Sequence, residues 1–170
     1  MTVYIALLRA VNVGGTGKLP MADLTTLCEA LGFAQVRTYI ASGNVVFQAS
    51  GTEIEVKTAL EAALATYAGK PVGVLIRTGP KLDAVLAANP FPGAAGNRTV
   101  AIFLDSAPPI DALGHATGQN GELTALGRRE IYVHYGDGMA QTKLKIPSAK
   151  TGTARNMNTV AKLAQMAREA

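Results

Sequence analysis

The sequence predicts an α+β protein of two small lobes, the first of them ferredoxin-like. Residues 1–78 contain apolar and amphipathic runs in the order strand, helix, strand, strand, helix, strand, which is the split βαβ order. A break rich in proline follows at 89–93, and a second group of short strands comes after it. We therefore expect a ferredoxin-like lobe over 1–78, a linker with a short helix over 79–97, and a second α+β lobe over 98–170.

Apolar periodicity and turn residues predict the first elements of this lobe. Val3–Leu8 is a continuous apolar run, as in a buried strand, and Pro20 suits the first position of the helix that follows. Val36–Ile40 and Val45–Phe47 are expected to pair as a hairpin around the turn at 42–44.

The second helix has the clearest start signal in the chain. Thr52 followed by Glu55 is a capping box, and Gly69 suits the left-handed residue that ends a helix. A strand over Val72–Ile76 then completes the lobe. The residues expected on the core face of this helix are Val56, Leu60, Ala63, Leu64 and Tyr67.

The second lobe is predicted to contain a strand and a hairpin before its final helix. The strand covers Thr99–Leu104, and the hairpin pairs Leu123–Leu126 with Glu130–Tyr135. Met139–Ile146 is compatible with a helix, and the last helix is expected over Ala154–Arg168.

The start of the last helix contains a polar residue on its apolar side. Thr153 suits the N-cap, and Arg155 falls on the polar side of the helical wheel. Asn156 projects toward the apolar side, where it either caps or braces a neighbouring loop or points into a site.

Composition bounds the class of protein. The chain has 170 residues, 48% of them hydrophobic and 16% charged, which indicates a globular protein that needs no metal or disulfide to fold. Its one cysteine, Cys28, lies on an apolar helix stripe and is expected to be a buried structural thiol. His115 and His134 have no partner at ligand spacing, so we expect neither a metal site nor a cofactor. No apolar run is long enough for a membrane span or a signal peptide, and the protein is predicted to be cytoplasmic.

The positive charge of the chain is concentrated at its C-terminal end. Residues 1–139 carry ten Lys or Arg and eleven Asp or Glu, whereas residues 140–170 carry six and one. Such a basic segment suits a nucleic-acid or other polyanionic partner, or it is a solvated face that keeps the protein soluble.

A glycine-rich loop between the first strand and the first helix is the strongest candidate ligand site. Asn12, Gly14, Gly15 and Lys18 lie in it, and Arg9 directly precedes it. Backbone N–H groups of such a loop can bind an anion, although the spacing matches neither a Walker A loop nor a dinucleotide fingerprint. The alternative is a flexible connection whose glycines permit positive φ.

Catalytic motifs give no support for a particular reaction. The sequence contains no nucleophile elbow, no HExxH and no CxxC pattern. An enzyme remains possible only if groups such as Arg9, Ser42 and Arg155 converge in the fold.

Motifs along most of the chain resemble a bacterial family known as domain of unknown function 1697. They are the run Tyr4–Gly15 with Lys18, the segment Ser42–Phe47, and the later segments Asn89–Pro92, Lys143–Leu144 and Thr153–Val160. Three positions depart from the family pattern, since Ala10, Thr142 and Met157 stand where glycine, serine and tryptophan are usual.

This resemblance implies a ferredoxin-like first half, a second α+β half and no established activity. It also implies a polar and glycine-rich site shared by the lobes. The resulting hypothesis is a protein that binds a small anionic ligand, such as a nucleotide or phosphate compound; the alternatives are a nucleic-acid-associated protein and an enzyme of unknown class. The candidate ligand-binding residues are Arg9, Asn12, Gly14, Gly15, Lys18, Ser42, Asn44, Lys143, Arg155 and Asn156.

Overall fold

The computed structural model describes residues 1–9, 18–41 and 43–170. Helices and antiparallel sheets both occur in this part of the chain, which confirms the predicted α+β class. The described chain divides into two units, each with its own sheet. Their bounds are Met1–Leu82 with Leu163–Ala170 for the first unit, and Asp83–Lys162 for the second.

This division differs from the expected one, which has a linker over 79–97. Residues 83–97 belong to the second unit, and the last residues of the chain belong to the first. Within the first unit, the guanidinium of Arg37 donates a hydrogen bond to the carbonyl oxygen of Met166. Local periodicity cannot reveal this bond, because 129 positions separate the two residues.

The first unit packs helices on one face of a four-stranded sheet. Its strands are antiparallel and lie in the order β2-β3-β1-β4, so β1 is central. In chain order the elements are β1 (Thr2–Leu8), α1 (Met21–Ala30), β2 (Ala34–Thr38), β3 (Asn44–Ala49), α2 (Glu53–Ala68) and β4 (Val74–Thr78).

The core of this unit lies between the sheet and the two helices. Alternate residues of β1 within Tyr4–Leu8 pack with Leu24 of α1 and Leu60 of α2, and all of them are buried. Phe33, two residues after the C-cap Leu31 of α1, stacks on Phe47 of β3 with ring centroids 4.4 Å apart, which holds the end of α1 on the sheet. This packing holds α1 against the sheet, in the connection between β1 and β2.

The ends of α2 form as predicted. The Thr52 hydroxyl accepts a bond from the N–H of Glu55 at 3.2 Å, and the Glu55 carboxylate accepts one from the N–H of Thr52 at 2.9 Å. Gly69 ends the helix in the left-handed conformation with φ 71°. The capping box and the glycine stop are therefore confirmed.

The sequence predicts that Cys28 of α1 and Tyr67 of α2 are both buried, and only the prediction for Cys28 is confirmed. Cys28 is fully buried, and desolvation, helped by the nearby Glu29 carboxylate, raises the pKa of its thiol to about 12, as expected for a structural cysteine. The prediction that Tyr67 belongs to the core is wrong, because its side chain is 43% exposed. Its hydroxyl instead donates to the Asp23 carboxylate and connects α2 to α1.

The second unit has a four-stranded antiparallel sheet in the order β6-β7-β5-β8. Short 3-10 turns at Gly96–Arg98, Ala112–His115, Gly136–Gln141 and Pro147–Ala149 connect its elements. These elements are β5 (Thr99–Phe103), β6 (Leu123–Leu126), β7 (Glu130–His134), β8 (Thr153–Asn156) and two helices that cross the boundary between units, α3 (Gly79–Ala87) and α4 (Met157–Arg168).

Two helix predictions in this unit are wrong or shifted. The last helix begins at Met157 rather than at residue 154, because Thr153–Asn156 pairs with β5 as a strand. The segment 139–146 is helical only up to Gln141, in a 3-10 turn, and its remainder is not helical. In both cases a nonlocal strand contact overrides a pattern that fits a helix.

Candidate functional site

β1 places Arg9 at one end of the first sheet, beside turns from other elements. The N–H of Leu8 donates to the carbonyl of Gly43 at 2.9 Å, and the N–H of Arg9 donates to the carbonyl of Gly73 at 2.9 Å. Because β3 and β4 are antiparallel to β1, both begin where β1 ends. Three separate stretches of the chain therefore meet beside Arg9.

The Arg9 side chain lies over Gly73. A Cβ atom added at Gly73 would stand 3.0 Å from Cδ of Arg9, closer than ordinary contact. A glycine at this position thus leaves space for the arginine stem as it leaves the sheet. Arg9 is half-buried, which restricts its guanidinium more than an exposed arginine would be restricted.

The first helix begins at the same end of the sheet. β1 and β2 are both antiparallel to β3, so they run in one direction and α1 must run back between them. Lys18 is exposed, Leu19 is buried and anchors the segment, and α1 begins at Met21. We call the region formed by Arg9, Lys18, Gly43 and Gly73 the loop end.

The N-terminus of α1 presents backbone donors there. Pro20 occupies the N-cap position, and among the described residues no side chain caps the helix. The first N–H groups of a helix lack intrahelical acceptors, and the helix dipole makes this end favourable for an anion. Two cationic side chains and a helix N-terminus are thus brought to one end of the unit.

Asn44 has a structural role beside this region. It is fully buried, and its amide donates to the carbonyl of Tyr39 at 3.0 Å. The N–H of Tyr39 in turn donates to the carbonyl of Asn44 at 3.0 Å, so the two residues close the β2–β3 turn. The four candidates that lie outside the described residues are Asn12, Gly14, Gly15 and Ser42.

The remaining candidates belong to the second unit and have three different environments. Lys143 is exposed on a loop after β7. Asn156 is the last residue of β8, and its side-chain oxygen accepts a bond from the N–H of Thr159 at 2.8 Å. It therefore caps α4, the role that the sequence suggested for Thr153. Arg155 is only 8% exposed and lies on β8 rather than on a helix surface.

Arg155 is held within the sheet by neighbouring groups. Its guanidinium donates to the hydroxyl of Thr153 at 2.7 Å and to the carbonyl of Ala154 at 3.0 Å. Burial lowers the pKa of Arg155 to about 10, so it is still charged at neutral pH. Ala101 of β5 pairs with Arg155 on one side and with Tyr132 on the other, which places both long side chains on one sheet face.

Sequence reasoning missed buried polar groups that the structure reveals. Arg77 of β4 is only 1% exposed and donates to the carbonyl of Ile76 at 2.8 Å. Glu122 is 5% exposed, and its carboxylate accepts a bond from the Thr142 hydroxyl at 2.6 Å. The position of Arg77 directly after the apolar run Val74–Ile76 is a sequence signal for a strand residue. The burial of Glu122 depends on a loop contact that has no local sequence signal.

The described ranges contain neither a metal-ligand cluster nor a membrane-spanning helix. No group of three or more His, Cys, Asp or Glu side chains there is arranged to hold a metal ion. No helix there combines the length and apolar character that a bilayer crossing requires.

Comparison with known proteins places the chain in a family. A family model described as "Protein of unknown function (DUF1697)" matches residues 1–132. The chain belongs to this family. The match confirms the resemblance seen in the opening motifs, while the motifs after residue 132 lie beyond it.

A solved structure shares the architecture of the whole chain. The conserved bacterial protein SP0830 from Streptococcus pneumoniae is 25% identical, with a TM-score of 0.82, and the match covers 98% of each chain. A search of the curated proteins finds no match. These comparisons identify the family and the fold and assign no activity to it.

Proposed function

We propose that the first unit is a ferredoxin-like domain whose loop end binds a small anionic compound, such as a phosphate ester or a nucleotide. The fold part of the proposal is supported by the sheet order β2-β3-β1-β4 with a helix in each crossover. That arrangement has the chain order of a split βαβ unit. It also brings the start of α1 to the end of β1.

The observation that carries the function is the placement of Lys18. Its side chain is exposed, and it stands three residues before Met21, where α1 begins without a side-chain cap from the described residues. A phosphate placed there would meet the ammonium group and the first backbone N–H groups of the helix. Arg9, which follows β1 at the same end of the sheet, supplies a second cation that can form bidentate hydrogen bonds with phosphate oxygens.

The test is a thermal-shift series on the purified chain with inorganic phosphate, nucleotides and sugar phosphates. A ligand at about 100 times its Kd adds about 2.7 kcal/mol, enough to raise the Tm by several degrees in a protein of this size. We expect a shift with one of these probes, and we expect Lys18→Ala to abolish it at the same ligand concentration.

Lys81→Ala is the matched control. Lys81 is exposed, belongs to the same unit and interacts with Glu53 at the start of α2, which lies at the other end of the sheet. Lys81→Ala removes the same charge as Lys18→Ala, and the ligand-induced rise in Tm of this variant should equal that of the unmodified protein. The proposal fails if no probe shifts the Tm, or if both variants reduce the shift equally.

A further inference from the structure

The segment 142–146 of the second unit forms an extended stretch with alternating burial. Thr142 has φ −63° and ψ 140°, and Ile146 has φ −116° and ψ 110°. Leu144 and Ile146 pack in the core of this unit, whereas Lys143 and Lys145 are exposed. The two lysines therefore lie on one side of an extended chain, about 6.6 Å apart at about 3.3 Å per residue.

The loop before β6 holds this segment in place through its backbone. The N–H of Thr117 donates to the carbonyl of Lys145 at 2.9 Å, and the N–H of Lys145 donates back at 2.8 Å. A Cβ atom added at Gly118 would stand 2.1 Å from the carbonyl oxygen of Lys143, so only glycine lets the two backbones approach this closely. The lysine backbone is fixed before any ligand arrives.

Side chains complete the attachment at the start of the segment. The Thr142 hydroxyl donates to the buried Glu122 carboxylate at 2.6 Å and accepts a bond from the N–H of Leu144 at 3.2 Å. The N–H of Asn120 donates to the other carboxylate oxygen. Hydrogen bonding, led by the Thr142 hydroxyl, lowers the pKa of Glu122 and keeps this anchor ionised at neutral pH.

We infer that Lys143 and Lys145 form a binding surface for the phosphate backbone of single-stranded nucleic acid, independent of base sequence. Their separation along an extended chain is similar to that between successive phosphates of an extended strand. No ion pair within the described residues uses either ammonium group. Since the backbone is already ordered, binding orders only the two side chains.

The surroundings of the two lysines favour this partner over a membrane. The apolar residues between and beside them, Leu144 and Ile146, pack inward, so this stretch has no apolar side chain to insert into lipid. The nearest tyrosine along the chain, Tyr135, is half-buried against the core and does not provide an open stacking surface. Contacts to phosphate are therefore the main source of affinity, and these carry no base specificity.

The test measures fluorescence anisotropy of a labelled uridine oligonucleotide with the full chain, between about 50 mM and 200 mM salt. For a single strand, log K falls with log salt by about 0.7 for each phosphate contacted by a cation. The double variant K143A/K145A should therefore reduce the magnitude of this slope by about 1.4 and weaken binding at the lowest salt.

The matched control is the double variant K162A/R168A, which removes the same charge from exposed positions of α4 in the same basic C-terminal segment. Its slope should remain that of the unmodified protein. An equal change in both double variants would overturn the inference, because only net charge would then matter. Absence of oligonucleotide binding at about 50 mM salt would also overturn the inference. So would a K143A/K145A variant that no longer binds anionic lipid vesicles but still binds the oligonucleotide as the unmodified protein does.

A second pair of variants tests whether the fixed backbone matters. Thr142→Val removes the hydroxyl with little change of shape and should weaken oligonucleotide binding although both lysines remain. Thr142→Ser keeps the hydroxyl and should bind as the unmodified protein does. If the two variants bind the oligonucleotide equally well, the Thr142 hydroxyl is not needed to order the backbone of the two lysines. That result would contradict the inferred role of the preordered segment.

Discussion

The two units have the same strand order but different connections. Numbered within each unit, both sheets have the order 2-3-1-4, with every neighbouring pair antiparallel. In the first unit a helix, α1 or α2, makes each crossover, whereas in the second the crossovers contain only short 3-10 turns and extended segments among the described residues. The same sheet can therefore be covered by helices or by irregular chain. The two proposed anion-binding surfaces differ accordingly, one using a helix N-terminus and the other an extended pair of lysines.

A glycine stands before the last strand of each sheet, and this repeated feature allows the units to be compared directly. Gly73 precedes β4 and lies against the side chain of Arg9. Gly152 precedes β8 and lies against the backbone carbonyl of Phe103, from which an added Cβ would be 2.4 Å. The second unit is thus packed more closely at this point than the first.

Of these two glycines, Gly152 is expected to give the larger effect when it is replaced by alanine. The new methyl group meets a backbone oxygen that cannot move without disturbing β5, so we expect a loss of unfolding free energy of about 3 kcal/mol. Gly73→Ala meets only the flexible stem of Arg9 and should cost less than about 1 kcal/mol. Urea denaturation of both variants measures the difference, and equal losses would mean that the two glycines are equivalent.

A smaller effect is expected at the start of α4. Asn156→Ala removes the cap of this helix and should cost about 1 kcal/mol, while Asn156→Asp keeps an acceptor oxygen and should cost little. Thr52→Ala, which removes the cap of α2, is the counterpart in the first unit and should cost a similar amount. If Asn156→Ala leaves stability unchanged in denaturation, the hydrogen bond to Thr159 is not a stabilising cap.

The sequence predicts the first unit better than the second for a physical reason. Helix periodicity and capping act within a few residues, so α2 could be assigned from Thr52, Glu55 and Gly69. Strand β8 and segment 142–146 are determined by pairing with distant residues, and their local patterns fit a helix equally well. Tertiary pairing thus decides the structure where local preference is weak.

The candidate site shows the same limit. Arg9 and Lys18 could be proposed from their positions around a strand end and a helix start, and the structure brings both to the loop end. The sequence pattern predicts Arg155 on a helix surface, but pairing with β5 makes it a buried strand residue. The attachment of the segment 142–146 through Gly118 and Glu122 has no short-range sequence signal, since these residues lie in loops far from the segment along the chain.

The most direct test of the proposed anion site at the loop end is an NMR titration of the ¹⁵N-labelled chain with adenosine monophosphate and with inorganic phosphate. We predict saturable changes in the amide signals of Arg9, Lys18 and the first turn of α1, at lower ligand concentrations than any change over 142–146. Signals over 142–146 that move while those of Lys18 and α1 stay constant would contradict the account, and so would a spectrum that neither compound changes.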